Sequence, residues 1–275
     1  MTEIRDLTQA GAVVNGMLAS FCNISITHPL FTIKTAYMSK GGSFPKWNQL
    51  YLGYRANLVC DMSCQVVNFY GFHLYSKTIM ESKTLTNTER CVGGVFAGTL
   101  SSIALCYCER IMVLNQRAKL KDPKTEKILS AWRTTKHLFS LEGKRAFVKG
   151  MLPTALRESI NSACFFGVSE MLKGATREVF KEEKIASATA FFIAGALSGA
   201  ITTPFDLVKT RMQLGIGSNM SFKRVVIEIL QEEGKRALFI TGLPARALTL
   251  ACTSAILGPI SEVVRNNLPE GLKKT

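Results

Sequence analysis

The sequence predicts an all-α membrane protein in which six transmembrane helices form three tandem, pseudo-symmetric repeats. Two observations carry this prediction. Residues 7–33, 91–108 and 185–205 contain no Asp, Glu, Lys or Arg, and each run is long enough, at about 1.5 Å per helical residue, to cross most or all of a hydrocarbon core roughly 30 Å thick. Each run also ends in a copy of one short motif, and a motif that recurs in each third of a chain indicates a repeat architecture.

The motif is clearest at residues 204–209, where Pro-Phe-Asp-Leu-Val-Lys is followed by Arg211 and Gln213. Weaker copies stand at residues 29–34, Pro-Leu-Phe-Thr-Ile-Lys, and at residues 107–112, Tyr-Cys-Glu-Arg-Ile-Met. Charged groups at the end of an uncharged run are typical of a helix that leaves the membrane, because charges are costly in the hydrocarbon core. A proline inside such a helix also predicts a kink.

Three further apolar stretches follow the motif copies, and they carry charges inside them. The stretches are residues 54–76, 151–172 and 243–264, and the charges are Asp61, Arg157, Glu158 and Arg246. A charged side chain within a spanning helix should face the protein interior or a water-filled cavity. The odd-numbered spans are therefore predicted to have no charged residues inside them, and the even-numbered spans are predicted to carry the polar groups.

A glycine precedes each even span, at Gly53, Gly150 and Gly242. The motif lies 24, 43 and 38 residues before this glycine in the three repeats, so the first repeat has the shortest connector. The predicted repeats are residues 1–85, 86–182 and 183–275.

The two longer connectors are each predicted to hold a short surface helix, and the first is predicted to have no helix of more than two turns between Lys40 and Gly53. In the third repeat the apolar face of this helix is Phe222, Val225, Val226, Ile229 and Leu230, at helical spacing.

Small residues four apart recur on the odd spans and predict close helix packing. The pairs are Gly16 with Ser20, Gly94 with Gly98, and Gly195 with Gly199.

The formal net charge is +14, which in a soluble chain would suggest a nucleic-acid partner. Here the basic residues lie between apolar spans, most densely in residues 110–149. That placement favours loops beside anionic lipid, and no nucleic acid is expected. A positive field can also concentrate anionic solutes.

Neither a metal nor a cofactor is expected. The eight cysteines are dispersed, and their spacing suits neither a zinc site nor a redox pair. No nucleophile motif or phosphate loop is present beyond the isolated Gly215-Ile216-Gly217, which is more simply a turn. An enzyme is therefore the least favoured class.

Three pairs of spans, each with a copy of a Pro-x-[Asp/Glu]-x-x-[Lys/Arg] signature, resemble the mitochondrial carrier family across nearly the whole chain. The resemblance implies a monomeric, multi-pass solute carrier of the mitochondrial inner membrane that moves a small charged metabolite by alternating access, as an exchanger or a uniporter. The expected partners are a small-molecule solute and membrane lipid, cardiolipin in particular.

In that family the signature residues close the matrix side by a ring of ion pairs. By position, the resemblance implies that Lys34 pairs with Asp206 and Glu109 with Lys209. The third pair would need an acid at Phe31 and a base at Met112, and both are replaced together. Because a lone charge in a closed gate is costly, the joint loss predicts an apolar joint, with a sulfur-to-ring contact.

The family places glutamines that brace these pairs, and Gln116 and Gln213 stand at two of those positions. On the opposite side the family has an acid and a base three residues apart. The matching residues are Glu170 with Lys173 and Glu262 with Arg265, whereas the first repeat offers His73 and Ser76. This cytoplasmic gate is therefore expected to be weak.

The family's solute contacts lie midway along the even spans. They fall on Arg157 and Glu158, on Asp61 with Gln65 and Asn68, and on Thr249 with Arg246 nearby. An Arg-acid pair on the fourth span resembles carriers of amino acids, and the chemistry agrees, since a guanidinium grips a carboxylate and a carboxylate receives an ammonium. Because adjacent helical residues point about 100° apart, Arg157 and Glu158 are not expected to pair with each other.

Two alternatives stay open. An adenine nucleotide carrier is favoured by the charge of +14 and opposed by the Arg-Glu pair. An inner-membrane adaptor that has lost transport is favoured by the degenerate first two motif copies and opposed by the retained signature charges.

Overall fold

The computed structural model describes residues 7–38, 47, 50, 51, 53–79, 85–116, 131–215, 221–240 and 242–272. All secondary-structure elements within these residues are helices. The α-helices are α1 (Gln9–Met38), α2 (Tyr54–Ile79), α3 (Asn87–Gln116), α4 (Ala131–Glu142), α5 (Arg145–Val148), α6 (Met151–Ala163), α7 (Ser169–Val179), α8 (Glu183–Leu214), α9 (Phe222–Glu232), α10 (Lys235–Ile240) and α11 (Leu243–Asn267). A short 3-10 helix at Glu270–Leu272 follows α11. A π-helical turn at Cys164–Val168 joins α6 to α7 without a break.

The long helices form a closed ring. Going round it, α1 packs on α2, α2 on α3, α3 on α6, α6 and α7 on α8, α8 on α11, and α11 back on α1. The order of the helices in the ring follows their order in the chain. The even spans are α2, the continuous helix formed by α6 and α7, and α11, and each packs on the odd helix that precedes it. A ring of this kind has an interior, and the charged even helices can turn their polar groups towards it.

Four of the helices are long and apolar enough to cross a membrane, judged within the described residues. These are Gln9–Lys34, Asn87–Leu114, Glu183–Leu214 and Leu243–Asn267. Of the charges predicted inside the even spans, Asp61 lies in α2, Arg157 and Glu158 lie in α6, and Arg246 lies in α11. The fold is therefore a helical membrane protein with several spans.

The three glycines before the even spans have the same backbone conformation. Gly53, Gly150 and Gly242 have φ of 81°, 85° and 80°, in the left-handed region, and α2, α6 and α11 begin at the next residue. A side chain is strained in this conformation, so glycine is the residue that allows this turn. A left-handed glycine directly before the even span thus recurs in each third of the chain, in agreement with the three repeats seen in the sequence.

The small-residue pairs of the second and third repeats lie where helix backbones approach closely, as predicted. A Cβ added to Gly98 would overlap the Glu158 carbonyl oxygen of α6, and one added to Gly195 would overlap the Leu250 carbonyl oxygen of α11. Close approach of this kind is what small residues permit in membrane helices.

We expect Gly98→Ala to lower the apparent melting temperature of the purified protein by several degrees. Its Cβ would lie 2.2 Å from the Glu158 carbonyl oxygen of α6, and overpacking of this sort costs about 1–3 kcal/mol. The matched control is Gly174→Ala in α7, where an added Cβ meets nothing within 4 Å. Equal shifts for the two variants would contradict the packing argument.

The amphipathic helix predicted in the third connector is confirmed as α9. Its apolar residues Val225 and Ile229 are buried against Leu207, Val208 and Met212 of α8. The connector of the second repeat likewise holds α4. Most of the span from Lys40 to Gly53 lies outside the described residues, so the expectation of no third surface helix stays a prediction.

Candidate functional site

A central cavity lies inside the ring, and α1, α2, α3, α6, α8 and α11 all contribute to its lining. Among the residues that the structure describes, the charged side chains that line it are the acids Asp61, Glu109, Glu158 and Asp206 and the bases Lys34, Arg157, Lys209 and Arg246. The four acids balance the four bases, although the whole chain carries a net charge of +14. The excess of positive charge therefore lies outside the cavity.

Six of these charges form what we call the charge network, made up of Lys34, Glu109, Arg157, Asp206, Lys209 and Arg246. The Lys34 ammonium lies 2.9 Å from an Asp206 carboxylate oxygen, and Lys209 is in ion-pair contact with Glu109. The structure thus brings together both signature pairs named from the sequence. Their role as a gate stays a prediction.

Arg157 enters this network from the even side of the ring. One of its η nitrogens is 3.1 Å from Glu109 Oε1 and 3.0 Å from Asp206 Oδ1, and the other is 2.9 Å from Glu109 Oε2. The guanidinium therefore grips Glu109 in bidentate fashion and also reaches Asp206. The sequence placed Arg157 among the solute contacts and did not indicate that it contacts both signature acids.

Arg157 also pairs with Glu158, at 2.5 Å between Nη2 and Oε1. The expectation that these neighbours do not pair is wrong. The 100° between adjacent helical positions separates the Cβ directions, but both long side chains bend towards the cavity and meet there.

Asp206 is the residue on which most bases converge. Besides Lys34 and Arg157, Arg246 Nη1 lies 3.2 Å from its Oδ2, and Asp206 is 1% exposed. Arg246 also donates to the Thr202 hydroxyl at 3.3 Å. A buried carboxylate shared by three bases is costly to remove, because the bases are left without a counter-charge.

Phe31 and Met112, the two apolar replacements in the signature, both line the cavity. Met112 is buried, and the Lys34 ammonium lies 5.8 Å from the centre of the Phe31 ring. Both side chains therefore face the cavity. A direct contact between Phe31 and Met112 stays a prediction.

Asp61 lies in the cavity lining but outside the charge network. Its carboxylate accepts a hydrogen bond from the Ser20 hydroxyl at 2.6 Å and another from Gln65. Within the described residues it has no Lys or Arg at ion-pair distance. A carboxylate held by neutral donors keeps its charge available to a cation.

The remaining predicted contacts are divided. Gln65 and Asn68 line the cavity, and Asn68 accepts from the Ser162 hydroxyl at 3.0 Å. Thr249 is buried outside the lining, and its hydroxyl donates to the Ala245 carbonyl of its own helix at 2.6 Å. Arg246, one turn earlier, supplies the polar group of α11 instead.

At the other end of the ring Lys173 holds α7 to α11. It pairs with Glu170 at 2.7 Å and with Glu262, and its ammonium lies 4.7 Å over the Phe191 ring. In the first repeat, the Ser76 hydroxyl donates to the His73 carbonyl of the same helix at 2.9 Å. These contacts fit an asymmetric closure, and the roles of these residues and of Arg265 stay predictions.

Arg110 is a fully buried arginine that was not predicted from the sequence to have a role. Its guanidinium pairs with Glu142 at 2.7 Å and donates to the Ala146 carbonyl at 3.0 Å. Glu142 also pairs with Lys149 at 3.2 Å, and Lys149 donates to the Gly215 carbonyl. These contacts tie the end of α3 to α4, to α5 and to the end of α8.

The third repeat has a similar contact, since Arg211 pairs with Glu233 at 2.6 Å. In both repeats the acid precedes a glycine of positive φ, at Gly143 and Gly234. The recurring Glu-Gly pairs in the sequence were the signal that could have found these contacts. The signature glutamine Gln213 is also buried and donates to the Cys106 carbonyl at 3.1 Å, so it joins α8 to α3 through the backbone. The side chain of Gln116 lies outside the described residues.

A ring of helices around a charged cavity, with ionic contacts towards both ends, is an arrangement that suits a membrane solute carrier. The family model of the mitochondrial carrier protein matches residues 83–179 and 181–271, and the chain therefore belongs to the mitochondrial carrier family. The members that it resembles are carriers and not enzymes.

Three relatives show the range of these carriers. A probable chloroplastic S-adenosylmethionine carrier of Arabidopsis thaliana is 27% identical over 96% of this chain and 76% of its own. A probable mitochondrial adenine nucleotide transporter of the same plant is 24% identical over 70% of this chain and 50% of its own. The succinate/fumarate mitochondrial transporter of Saccharomyces cerevisiae is 24% identical over 86% and 77%.

Proposed function

We propose that this chain is an exchanger of the mitochondrial inner membrane that carries a small solute with an amino-acid head group. In this proposal six spans in three repeats surround the cavity, the charge network faces the matrix, and the Lys173 contacts face the intermembrane space. The proposed molecule acts as a monomer with cardiolipin as bound lipid. Family membership supports the architecture and the membrane.

The observation that carries the solute class is the separation of charge in the cavity. Asp61 stands apart from the charge network with neutral donors around it, while the network, counted with Glu158, has one base more than it has acids. A solute with an ammonium and a carboxylate matches both parts, because Asp61 receives the cation and an arginine of the network receives the anion.

S-adenosylmethionine is the most informative test solute. It carries an amino-acid head group, a sulfonium cation and an adenosine group, and one of the relatives is named as its probable carrier. The ring of Phe165 also lines the cavity and offers a face on which a planar base can stack.

The alternative is an adenine nucleotide, which a second relative is named as carrying. A nucleotide brings several negative charges and no ammonium. A cavity whose own charges balance favours a zwitterion over such an anion, since the charge of +14 lies mainly outside the cavity. The nucleotide carrier is therefore the second candidate.

The experiment is a thermal-shift comparison of the purified protein with S-adenosylmethionine, simple amino acids, ADP and succinate, followed by exchange in proteoliposomes. We expect solutes with an amino-acid head group to stabilise the protein, by about 2.7 kcal/mol at a hundred times the dissociation constant. Stabilisation and exchange with ADP alone would favour the nucleotide carrier. Folded protein that neither binds nor exchanges any of these solutes would favour the adaptor.

Asp61→Asn is expected to lower the affinity for amino-acid solutes at least tenfold, because removing a desolvated charge partner costs about 2–5 kcal/mol. Uptake of labelled solute into proteoliposomes measures this loss. The control is Glu183→Gln, which also removes one acid but from an exposed pair with Arg177. Wild-type affinity in folded Asp61→Asn would overturn the assignment of the ammonium to Asp61.

A further inference from the structure

The charge network lacks one of the three direct links between its odd helices. Lys34 joins α1 to Asp206 of α8, and Lys209 of α8 joins Glu109 of α3. The direct link between α1 and α3 would lie at Phe31 and Met112, which carry no charge. The structure nevertheless holds a cation between the two signature acids.

That cation is Arg157 of α6, which contacts Glu109 with both η nitrogens and Asp206 with one of them. Through Asp206 it reaches Lys34, so α1 and α3 are joined by a chain of four charges. We propose that Arg157 closes the matrix end of the cavity in place of the missing third ion pair, and that a solute carboxylate opens this end by taking the guanidinium over.

The first half of this proposal follows from the geometry of the guanidinium. A planar fork can bind Glu109 at two points and still reach Asp206, whereas a lysine ammonium is a point charge that cannot bridge both acids with the same contacts. Arg157 is 3% exposed, so its contacts are made where water competes little. It belongs to an even helix, and it therefore couples the solute-bearing half of the ring to the odd helices that close it.

The second half rests on the proposed function, because it needs a solute with a carboxylate. In the closed network both η nitrogens of Arg157 already contact acids, so a solute carboxylate that takes the two η nitrogens must displace one of these acids. Exchange of one carboxylate for another keeps the guanidinium paired. Loss of a partner without replacement leaves a buried charge uncompensated. Opening is therefore favoured when the solute is present and disfavoured when the cavity is empty.

The test measures closure directly, without transport. Cys64 lines the cavity, and in a chain that keeps it as the one cysteine, a membrane-impermeant maleimide added from the matrix face reports access through that end. We expect Arg157→Gln to raise the rate of labelling from the matrix face at least tenfold. Arg177→Gln, which removes an arginine from an exposed pair, is the control and should label like the parent chain.

Rescue separates closure from a general loosening of the fold. Adding the missing pair as Phe31→Glu with Met112→Lys to the Arg157→Gln chain should return the labelling rate to within about twofold of the parent. If Arg157→Gln does not fold, Arg157→Lys makes the same comparison, because it keeps the charge and loses the fork; we expect it to label several-fold faster than the parent. Parental labelling in a folded Arg157 variant, or failure of the added pair to restore it, would overturn the proposal.

The solute arm uses S-adenosylmethionine and its decarboxylated form as probes on the parent chain. We expect only the form with the carboxylate to raise labelling from the matrix face. An equal rise with both forms would overturn the carboxylate step and leave the closing role of Arg157 intact. If neither probe binds, S-adenosylmethionine is not the solute, and the labelling of the Arg157 variants still decides the closing role.

Discussion

Asp206→Asn is expected to reduce solute exchange at least a hundredfold while the protein still inserts in the membrane. Lys34, Arg157 and Arg246 all lie within 3.2 Å of its carboxylate, and the amide that replaces it brings no charge. Breaking a buried ion pair by removal of one partner costs about 3–5 kcal/mol, and here one partner serves three bases. The loss should therefore fall on the closed state and on stability together.

The measurement is exchange in proteoliposomes beside thermal unfolding of the purified variant. Glu183→Gln, which neutralises an acid in an exposed pair, controls for the change in net charge and should behave like the parent, as exposed pairs contribute about 0–1 kcal/mol. Near-parental exchange by folded Asp206→Asn would mean that the three bases find other partners and that the network does not depend on this carboxylate.

The sequence predicted the long odd helices because their uncharged runs are a direct consequence of the cost of charge in lipid. It also predicted the even spans, which begin directly after Gly53, Gly150 and Gly242, and the surface helix α9. Each of these follows from local composition or periodicity. The family motif then named the pairs of Lys34 with Asp206 and of Glu109 with Lys209, which the structure brings into contact.

The sequence did not predict where the long side chains reach. The position of a residue on a helix fixes the direction of its Cβ. An arginine side chain extends several bonds beyond the Cβ, so it can reach partners on different helices. Arg157 therefore contacts Glu109, Asp206 and Glu158 together. The prediction that Arg157 and Glu158 do not pair was wrong for this reason. Thr249 shows the opposite case, because a short hydroxyl beside its own backbone is satisfied there and does not reach the cavity.

Arg110 is a second case in which reach mattered more than position. It stands between the signature acid Glu109 and the apolar Ile111, and the motif gives no role to that place. The structure turns it away from the cavity to Glu142 and the Ala146 carbonyl. The Glu-Gly pairs mark the acid of such a contact, but the choice of Arg110 as its partner depends on how α4 and α5 lie against α3.

Arg110→Met is expected to lower the apparent melting temperature by ten degrees or more, or to prevent recovery of folded protein. The change leaves Glu142 with only part of its compensation, and the broken buried pair costs about 3–5 kcal/mol, a large share of the 5–15 kcal/mol that stabilises a typical protein. Arg224→Met in α9, at an exposed position, is the matched control, since surface changes usually stay within about 0.5 kcal/mol.

The double variant Arg110→Met with Glu142→Met separates an uncompensated charge from lost packing. Replacing both members of a buried pair by apolar groups is often neutral, so we expect the double variant to recover at least half of the lost stability.

In the double variant Lys149 keeps its hydrogen bond to the Gly215 carbonyl and loses its ion pair with Glu142. Burial already lowers the pKa of Lys149, and Glu142 is the main group that opposes this shift. Without Glu142 the folded pKa falls further below the unfolded value of about 10.4. The unfolded state then binds more protons, and the stability of the double variant should rise more steeply with pH than that of the parent as the pH approaches that value. Thermal unfolding over this pH range measures the difference. A double variant as unstable as Arg110→Met, with no steeper rise, would show that Arg110 stabilises the fold through the packing of its side chain and not through its pairing with Glu142.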